Sequence, residues 1–409
     1  MRISHGISHR VSRPARRGRP PAVLLAVCAA VLTLPPTPAG ARAVGVPTDR
    51  AVWRSSAGGG SVTSVPLART PTGGGVLPPR TVRRFDLLGV GWDGPARALA
   101  GGTVRVRTRD AATGAWSGWR ELDADGEDGP DPVAAGRGPR GATAPLWTGP
   151  SDGVAVEVTP GPAGPPPGLR VELVDPGGGA RSTGPRTLPA EPADGRRIGH
   201  QAPRPEIVTR AGWGADESIR EPDLAYTGPV RVVFVHHTAT ATAYECADAP
   251  RLIRAVYQYH VQGNGWRDLG YNFLVDRCGT VYEGRAGGTD LPVHGAHTLG
   301  FNTDSAGVAA IGTYVTDQPP PALLTGVTRI AAWKLGLTDQ DAGGSTTLVS
   351  SSDGSRYPAG TAATFQAVSG HRDAFNTECP GTVLYARLPE LRAEAALLQG
   401  RGAPDPLTP

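Results

Sequence analysis

Apolar and polar residues alternate in short runs across the first half of the chain. The segments 104–107 (VRVR) and 154–158 (VAVEV) show this alternation most clearly. A period of two residues gives a strand one buried face and one face toward solvent. Turn-forming residues separate the runs, and the predicted strands are 82–90, 104–108, 116–122, 154–158 and 169–174. This pattern is typical of a small, sandwich-like all-β domain, here over residues 81–176.

The pattern changes after Ile207, where longer apolar runs appear. The run 232–237 (VVFVHH) is apolar and β-branched, which is typical of a strand buried on both faces. Segments 271–276 and 308–314 have the same character and are predicted to be strands as well.

Segments of helical period lie between and after these strands. Apolar residues recur every three to four positions from Leu252 to His260, with Asp248 as a candidate N-cap and Gly263 as a stop. Two further helices are predicted, one that ends at Gly336 and one from Leu388 to Leu398 that ends at Gly400. Strands interleaved with helices indicate an α/β domain, a mixed sheet covered by helices, over residues 205–400.

Three segments read as connections rather than as parts of a core. Residues 44–80 are rich in Gly, Ser, Pro and Thr without a sustained apolar period and predict a disordered linker. Residues 177–204, dense in Gly, Pro and Arg, predict a second linker. The run 336–364 is rich in Gly, Ser and Thr and predicts a hairpin insertion.

Residues 1–43 have the features of an export signal. Six arginines and no acidic residue precede Pro20, an apolar run extends from Ala22 to Leu34, and Ala41-Arg42-Ala43 forms a small-x-small cleavage site. The run is shorter than the roughly 20 residues that span a bilayer. We therefore expect a secreted mature protein without a membrane span. A retained anchor is the alternative, and Sec and Tat export both stay open.

Composition changes this picture in two ways. The 57 glycines and 41 prolines favour long irregular connections. Loss of the seven arginines of the signal segment would change the formal net charge from +4 to −3. The basic character of the full chain is therefore no argument for nucleic-acid binding, and no nucleic-acid partner is expected.

Four tryptophans of the β domain, Trp92, Trp116, Trp119 and Trp147, allow two interpretations. Burial in the core is favoured, because aromatic side chains dominate small sandwich cores. Exposed rings that stack on sugars are the alternative.

Candidate metal ligands occur at strand ends and in loops of the second half: His236, His371 and Cys379. Two imidazoles and one thiolate suit tetrahedral zinc with a fourth position open to water, which is the arrangement of a catalytic site. Spacing alone makes this a weak prediction, because nine histidines offer many accidental trios.

Five ordered motifs around these residues strengthen the prediction. The motifs are RAGWGADE (210–217), VVFVHHTAT (232–240), YHVQGNGWRDLGYNFLVDRCGTVYEGR (259–285), GAHTLGFNTDSAGVAAIGTY (295–314) and SGHRDAFNTECPG (369–381). Together they resemble the N-acetylmuramoyl-L-alanine amidases of the peptidoglycan recognition protein and phage-lysozyme type, over roughly residues 205–385. The β-rich segment before them is similar to the layout of actinobacterial secreted amidases.

The resemblance implies a secreted or cell-wall-associated enzyme that hydrolyses the amide bond between N-acetylmuramic acid and L-alanine of peptidoglycan. It implies that His236, His371 and Cys379 bind Zn²⁺. Tyr271 and Thr377 correspond to the residues that assist the reaction, with packing and a simple hydrogen bond as their respective alternatives.

The resemblance also suggests which residues contact the muropeptide. His297 and Asn302 correspond to groove residues, and the alternative is a structured loop capped by polar side chains. His237 should point away from the metal, because adjacent strand residues face opposite sides, and is expected in the substrate groove or the core.

With Cys28 in the export signal and Cys379 assigned to the metal, Cys246 and Cys278 are expected to form a disulfide. We expect a monomer. Two alternative functions stay open: a receptor that binds peptidoglycan without cutting it, although such members typically lose the metal-binding cysteine, and a wall-associated scaffold whose function lies in the β domain.

Overall fold

The structure is a computed structural model, and it describes residues 51–56, 58–124, 129, 140–180, 184–192 and 199–402. The described residues all belong to one compact unit, Asp49–Pro409. The predicted export signal at 1–43 lies outside the described residues. Within the described part of the chain, no helix combines the length and apolar character needed to cross a membrane.

Nine antiparallel strands form one sheet in the first half. Its order is β1-β2-β9-β4-β8-β5-β6, with β3 and β7 also paired to β4. Every strand predicted over residues 82–174 overlaps one of them. The strands are β1 (Val52–Ser55), β2 (Ser61–Pro66), β3 (Ala68–Arg69), β4 (Gly75–Asp93), β5 (Thr103–Asp110), β6 (Arg120–Leu122), β7 (Arg140–Ala142), β8 (Leu146–Thr159) and β9 (Arg170–Asp175).

Alternation places one face of these strands in a common core. Val104 and Val106 are buried on β5 whereas Arg105 between them is exposed, as the period of two predicts. Trp92 is fully buried, but Trp116 and Trp119 are partly exposed under the guanidinium group of Arg107. Burial in the core therefore holds for Trp92, whereas Trp116 and Trp119 lie at the surface against an arginine side chain.

Part of the segment predicted as a disordered linker, 44–80, is strand. β2 pairs with β9 over six residues, and Val62 and Val65 of β2 are buried. Polar composition favoured disorder, but the short SVTSVP run has enough apolar side chains to add a strand to a sheet formed mainly by later residues.

A seven-stranded mixed sheet forms the centre of the second half. Its order is β10-β11-β14-β13-β15-β12-β18, with both parallel and antiparallel pairs. This agrees with the mixed sheet expected from the sequence. The strands are β10 (Thr187–Leu188), β11 (Ile207–Val208), β12 (Val232–His237), β13 (Phe273–Val275), β14 (Val281–Glu283), β15 (Ser305–Ala310) and β18 (Val368–Gly370).

Helices and a hairpin cover this sheet. Helices α3 and α5 pack on one face through a core that includes Val233 and Val235 of β12. Helix α2 packs on the other face, where the hairpin of β16 and β17 also covers Phe234. The bounds are α1 (Arg210–Trp213), α2 (Ala249–Gln258), α3 (Pro321–Gly336), β16 (Ser345–Val349), β17 (Ala362–Gln366), α4 (Thr382–Tyr385) and α5 (Leu388–Leu398).

The β domain and the α/β domain share buried side chains. Val62, Leu87 and Val174 of the β domain lie in one apolar cluster with side chains of α2 and with Trp213. The hydroxyl group of Tyr259 donates to the carbonyl of Thr143 at 2.9 Å. The two halves therefore pack directly against each other.

The segment between the two domains differs from the linker predicted over 177–204. Its strand β10 pairs with β11 at the edge of the mixed sheet, and the N–H of Ala180 donates to the carbonyl of Gly214 at 3.0 Å. Gly and Pro content predicted an unattached connection, but backbone hydrogen bonds fix its described part to the α/β domain.

Candidate metal centre

Parallel strand pairing brings the predicted metal ligands together. β12 and β18 run in parallel with Val235 opposite Gly370, so His236 and His371 follow at the same edge of the sheet. The N–H of Arg372 donates to the carbonyl of Cys379 at 3.0 Å, which holds the Cys379 segment beside His371. The ligand atoms of His236, His371 and Cys379 all lie within 4.8 Å of one another, and the three residues are buried.

The spacing of these atoms fits a tetrahedral zinc site. The Sγ atom of Cys379 lies 3.8 Å from Nδ1 of His236. Zinc bonds of about 2.0 Å to nitrogen and 2.3 Å to sulfur would separate the donor atoms by roughly 3.5 Å. Burial and the neighbouring His371 lower the pKa of His236 well below its ordinary value. The imidazole is therefore neutral near pH 7, as a metal ligand must be.

Thr298 is a neighbour of the centre that the sequence analysis did not identify. Its Oγ1 atom lies 3.4 Å from Nε2 of His236 and 2.9 Å from Nδ1 of His297. It therefore contacts the ring nitrogen of His236 that does not face Cys379. Its place in the motif directly after His297 was the available signal.

His297 and Asn302 lie in a structured loop behind His236. The ring of His297 is fully buried, 5.2 Å from that of His236, and burial, followed by the neighbouring His371, lowers its pKa well below the ordinary value. The side-chain oxygen of Asn302 accepts from the N–H groups of His297 and Thr298 at 2.8 and 3.0 Å. Asn302 therefore makes the contacts of a polar side chain that caps a structured loop, which was the alternative to a role in the substrate groove.

A row of rings runs from the metal centre into a cleft. Tyr271 lies 5.3 Å from His236 and His260 lies 5.6 Å from Tyr271, centroid to centroid. Trp266 follows at 4.3 Å from His260. Burial lowers the pKa of His260 to about 3, so this ring is neutral as well. The row places an aromatic wall next to the proposed ligands.

His237 and Thr377 flank the centre in different ways. The side chain of His237 lines the cleft, and its Nδ1 atom accepts from the N–H of Tyr314 at 3.3 Å. Burial lowers its pKa to about 4. Oγ1 of Thr377 accepts from the N–H of Cys379 at 2.9 Å, so Thr377 shapes the turn that carries the thiol and keeps its hydroxyl hydrogen for donation.

The cleft has walls from both domains. It is open to solvent, and its empty space of about 520 Å³ includes part of that solvent. One wall contains His237, Tyr271 and Trp266, and the other is the β-domain segment from Ala142 to Pro145 with Arg140. Sequence patterns could not reveal this arrangement, because the two walls are more than 90 residues apart along the chain.

The predicted disulfide is present. Cys246 and Cys278 are bonded, with a Cα separation of 6.2 Å, and Cys379 is the free cysteine of the described residues. The bond connects the turn before α2 to the turn after β13.

Comparison with known proteins identifies the two halves separately. Residues 226–382 match the family described as N-acetylmuramoyl-L-alanine amidase, and residues 52–190 match the family described as Rv3811 N-terminal galactose-binding domain-like. Peptidoglycan-recognition protein SC2 of Drosophila simulans is 30% identical over 179 residues, 44% of this chain and 82% of that protein. The chain belongs to the N-acetylmuramoyl-L-alanine amidase and peptidoglycan-recognition protein family. The resemblance noted in the sequence is thereby confirmed.

Other members of the family match shorter parts of longer proteins. The human N-acetylmuramoyl-L-alanine amidase is 34% identical over 187 residues, 44% of this chain but 27% of the human protein. Peptidoglycan-recognition protein LE of Drosophila melanogaster is 41% identical over 113 residues, 28% of this chain and 31% of that protein. The chain therefore spans about a third or less of the length of these two relatives. The solved structure of wild-type Drosophila PGRP-LB is 27% identical, covers 44% of this chain and 91% of that chain, and has a TM-score of 0.35.

Proposed function

We propose that this amidase-family protein is a zinc-dependent hydrolase of the amide bond between N-acetylmuramic acid and L-alanine in peptidoglycan. The observation that carries the proposal is the buried cluster of His236, His371 and Cys379, whose donor atoms lie within 4.8 Å of one another. This donor set suits zinc, and three protein ligands leave one position for the reaction. The names of the relatives, amidase and peptidoglycan-recognition protein, support the bond and the substrate.

The surrounding residues have roles that follow from their positions. Zinc held there would supply Lewis-acid activation of water and of the scissile carbonyl. Tyr271 and Thr377 would donate hydrogen bonds to the carbonyl oxygen as negative charge develops, an effect often worth about 3 kcal/mol per donor. The neutral rings of His260 and Trp266 would line the path of the substrate, and His237 would contact it from the same wall of the cleft.

The same site could bind peptidoglycan without cleaving it, as the recognition-protein names of several relatives suggest. Retention of Cys379 favours the enzyme, because a binding protein has no need of a third zinc ligand beside the two histidines. We further propose that the protein acts outside the cell as a monomer, with the segment 1–43 as its export signal.

The substitution Cys379→Ser tests the ligand set and the activity together. A hydroxyl group stays protonated near neutral pH and is a much poorer zinc ligand than a thiolate. We expect the variant to lose its zinc and its cleavage of defined muropeptides while it keeps its fold. Metal analysis, mass spectrometry of the digest and circular dichroism measure the three properties.

The matched comparison is Ser350→Ala, which removes a buried hydroxyl group from the hairpin region and should leave zinc and cleavage unchanged. A Cys379→Ser protein that retains one zinc and cleaves at the parent rate would mean that the third ligand lies elsewhere. A parent protein that binds zinc and muropeptides without cleaving them would support the receptor.

A further inference from the structure

We propose that Arg140 of the β domain binds a free carboxylate on the peptide part of the substrate, so that the second domain contributes a specificity residue to the amidase cleft. The inference rests on the proposed function for the identity of the substrate. It assigns a ligand contact to a domain that lies outside the residues matching the amidase family, 226–382.

The backbone of β7 fixes the position of Arg140. Gly141, its neighbour, pairs with Trp92 of β4, and a Cβ atom at Gly141 would lie 2.0 Å from the indole nitrogen of that buried ring. Any residue with a Cβ atom at position 141 would clash with this ring. The glycine therefore allows β7 to lie close to the β-domain core. This close approach anchors the base of the Arg140 side chain on a rigid element.

The guanidinium group extends from there across the domain boundary. Its Nη1 atom lies 3.5 Å from the carbonyl oxygen of Gly263. It also lies 3.5 Å from the position that a Cβ atom would take at Gly265, so the group faces bare backbone beside Trp266. Arg140, Asn264 and Trp266 line the same cleft. The charged group is thus part of the cleft wall.

The charge of Arg140 is near the carboxylates of Asp93 and Glu172 but is not held in an ion pair within the described part of the chain. No carboxylate of the described residues forms an ion pair with it, whereas nearby Arg170 is paired with Glu172 at 2.7 Å and with Asp93 at 3.2 Å. Burial, and then the charges of Arg170 and Arg54, lower the pKa of Arg140, while the carboxylates of Asp93 and Glu172 act in the opposite direction. A partly buried guanidinium group with unused donors in the cleft wall can bind an anion, and a carboxylate matches its planar geometry.

The position of Arg140 indicates which part of the substrate carries that anion. N-acetylated sugars are uncharged, and the lactyl carboxyl group of the muramic acid is consumed in the scissile amide. The negative charges are therefore on the peptide. Ring contacts of 5.3, 5.6 and 4.3 Å lead from His236 through Tyr271 and His260 to Trp266, which a few residues of extended peptide at about 3.4 Å each would follow.

The test compares two muropeptides that differ only in whether the peptide carboxyl groups are free or amidated. Binding is measured by calorimetry on the Cys379→Ser background, and KM and kcat are measured on the parent background. A charge-assisted hydrogen bond is worth roughly 1.5–3 kcal/mol, which corresponds to about 10-fold or more in affinity. We expect Arg140→Ala to weaken binding of the free-acid muropeptide, and raise its KM, by at least about that factor.

The same variant should bind the amidated muropeptide as the parent does and keep its kcat. The matched control is Arg69→Ala, which removes an exposed arginine of β3 in the same domain and should change neither substrate. Arg140→Gln, which keeps the length of the side chain without its charge, replaces Arg140→Ala if the latter unfolds. Equal losses for both muropeptides, or no loss for either, would overturn the inference.

Failure of the proposed function gives a different result. If the parent protein does not cleave muropeptides, the binding comparison is made on the parent itself, and a loss confined to the free-acid muropeptide still supports the role of Arg140. If the parent cleaves but Arg140→Ala leaves the KM values of both muropeptides unchanged, the proposed enzymatic function is supported and the proposed Arg140 contact is wrong.

Discussion

Individual contacts around the proposed zinc ligands orient them before any metal binds. Nδ1 of His236 faces the Cys379 thiol and Nε2 faces Thr298, so each ring nitrogen has a defined neighbour. The N–H of His237 donates to Sγ of Cys379 at 3.3 Å, which favours the thiolate. Outer contacts of this kind fix ring orientation and ligand basicity at metal sites.

Thr298→Val should weaken zinc binding without loss of the fold. The substitution keeps the side-chain shape and the N–H bond to Asn302 but removes the hydroxyl contacts with His236 and His297. Loss of such an outer partner typically reduces metal affinity 10- to 100-fold, and we expect about 10-fold. Competition with a chelator measures the affinity. Thr328→Val, a buried threonine of α3, is the control, and equal affinities in the two variants would show that the Thr298 hydroxyl does not act on the metal site.

Tyr271→Phe should lower turnover by about 10² while zinc content and stability stay near those of the parent, because only a hydrogen-bond donor is removed. The phenyl ring preserves the contacts with His236 and His260. Single-turnover kinetics with a defined muropeptide measure the chemical step. Tyr226→Phe removes the hydroxyl of an exposed tyrosine and serves as the control. Unchanged turnover would assign Tyr271 to packing.

Residue types and motif context were sufficient to select His236, His371 and Cys379, which the structure brings together. Thr298 was missed because a threonine beside a histidine has no distinctive spacing. Arg140 could not be found, because its contact with Gly263 joins positions 123 residues apart. Residues that act through a partner in another domain leave no local pattern.

At the scale of elements, the hydrophobic period and the length of each segment predicted those strands and helices that local interactions determine. The run 232–237 and the helix 388–398 have the predicted bounds, and the hairpin insertion forms as β16 and β17. The helical period predicted that α2 continues to His260. Instead, α2 ends at Gln258 and a π-helical turn follows from Tyr259 to Gly263. That turn places the Tyr259 hydroxyl on Thr143 of the β domain, a long-range contact that periodicity cannot show.

Removal of the Cys246–Cys278 bond should destabilise the α/β domain without changing its chemistry. The bond closes a loop with a sequence separation of 32 residues, for which the loop-entropy model gives roughly 3–4 kcal/mol. We expect the Cys246→Ser, Cys278→Ser double variant to lose about this much free energy of unfolding in urea and to keep its zinc. Parent protein under reducing conditions should behave in the same way. A double variant as stable as the parent would mean that the crosslink is dispensable.

At the scale of the whole molecule, the two domains are expected to depend on each other. The sequence predicted two bodies joined by a linker, an arrangement that usually allows relative motion. The structure instead has Val62, Leu87 and Val174 of the β domain in one cluster with α2, and it has a cleft with walls from both domains. The β domain therefore supports the helix beside the proposed active site as well as one side of the cleft.

Adjacent leucines of β4 allow this dependence to be tested. Leu87 faces the shared cluster with α2, whereas Leu88 faces the internal core of the β domain, and both are fully buried. Leu87→Ala and Leu88→Ala should each cost about 2–5 kcal/mol. If the domains unfold as one cooperative unit, calorimetry will show a single transition that both substitutions shift to lower temperature, and cleavage activity will be lost with it. The contrary result is two transitions, with Leu88→Ala lowering the temperature of only one of them and activity persisting until the temperature of the other. That result would show that the amidase domain is stable without its neighbour.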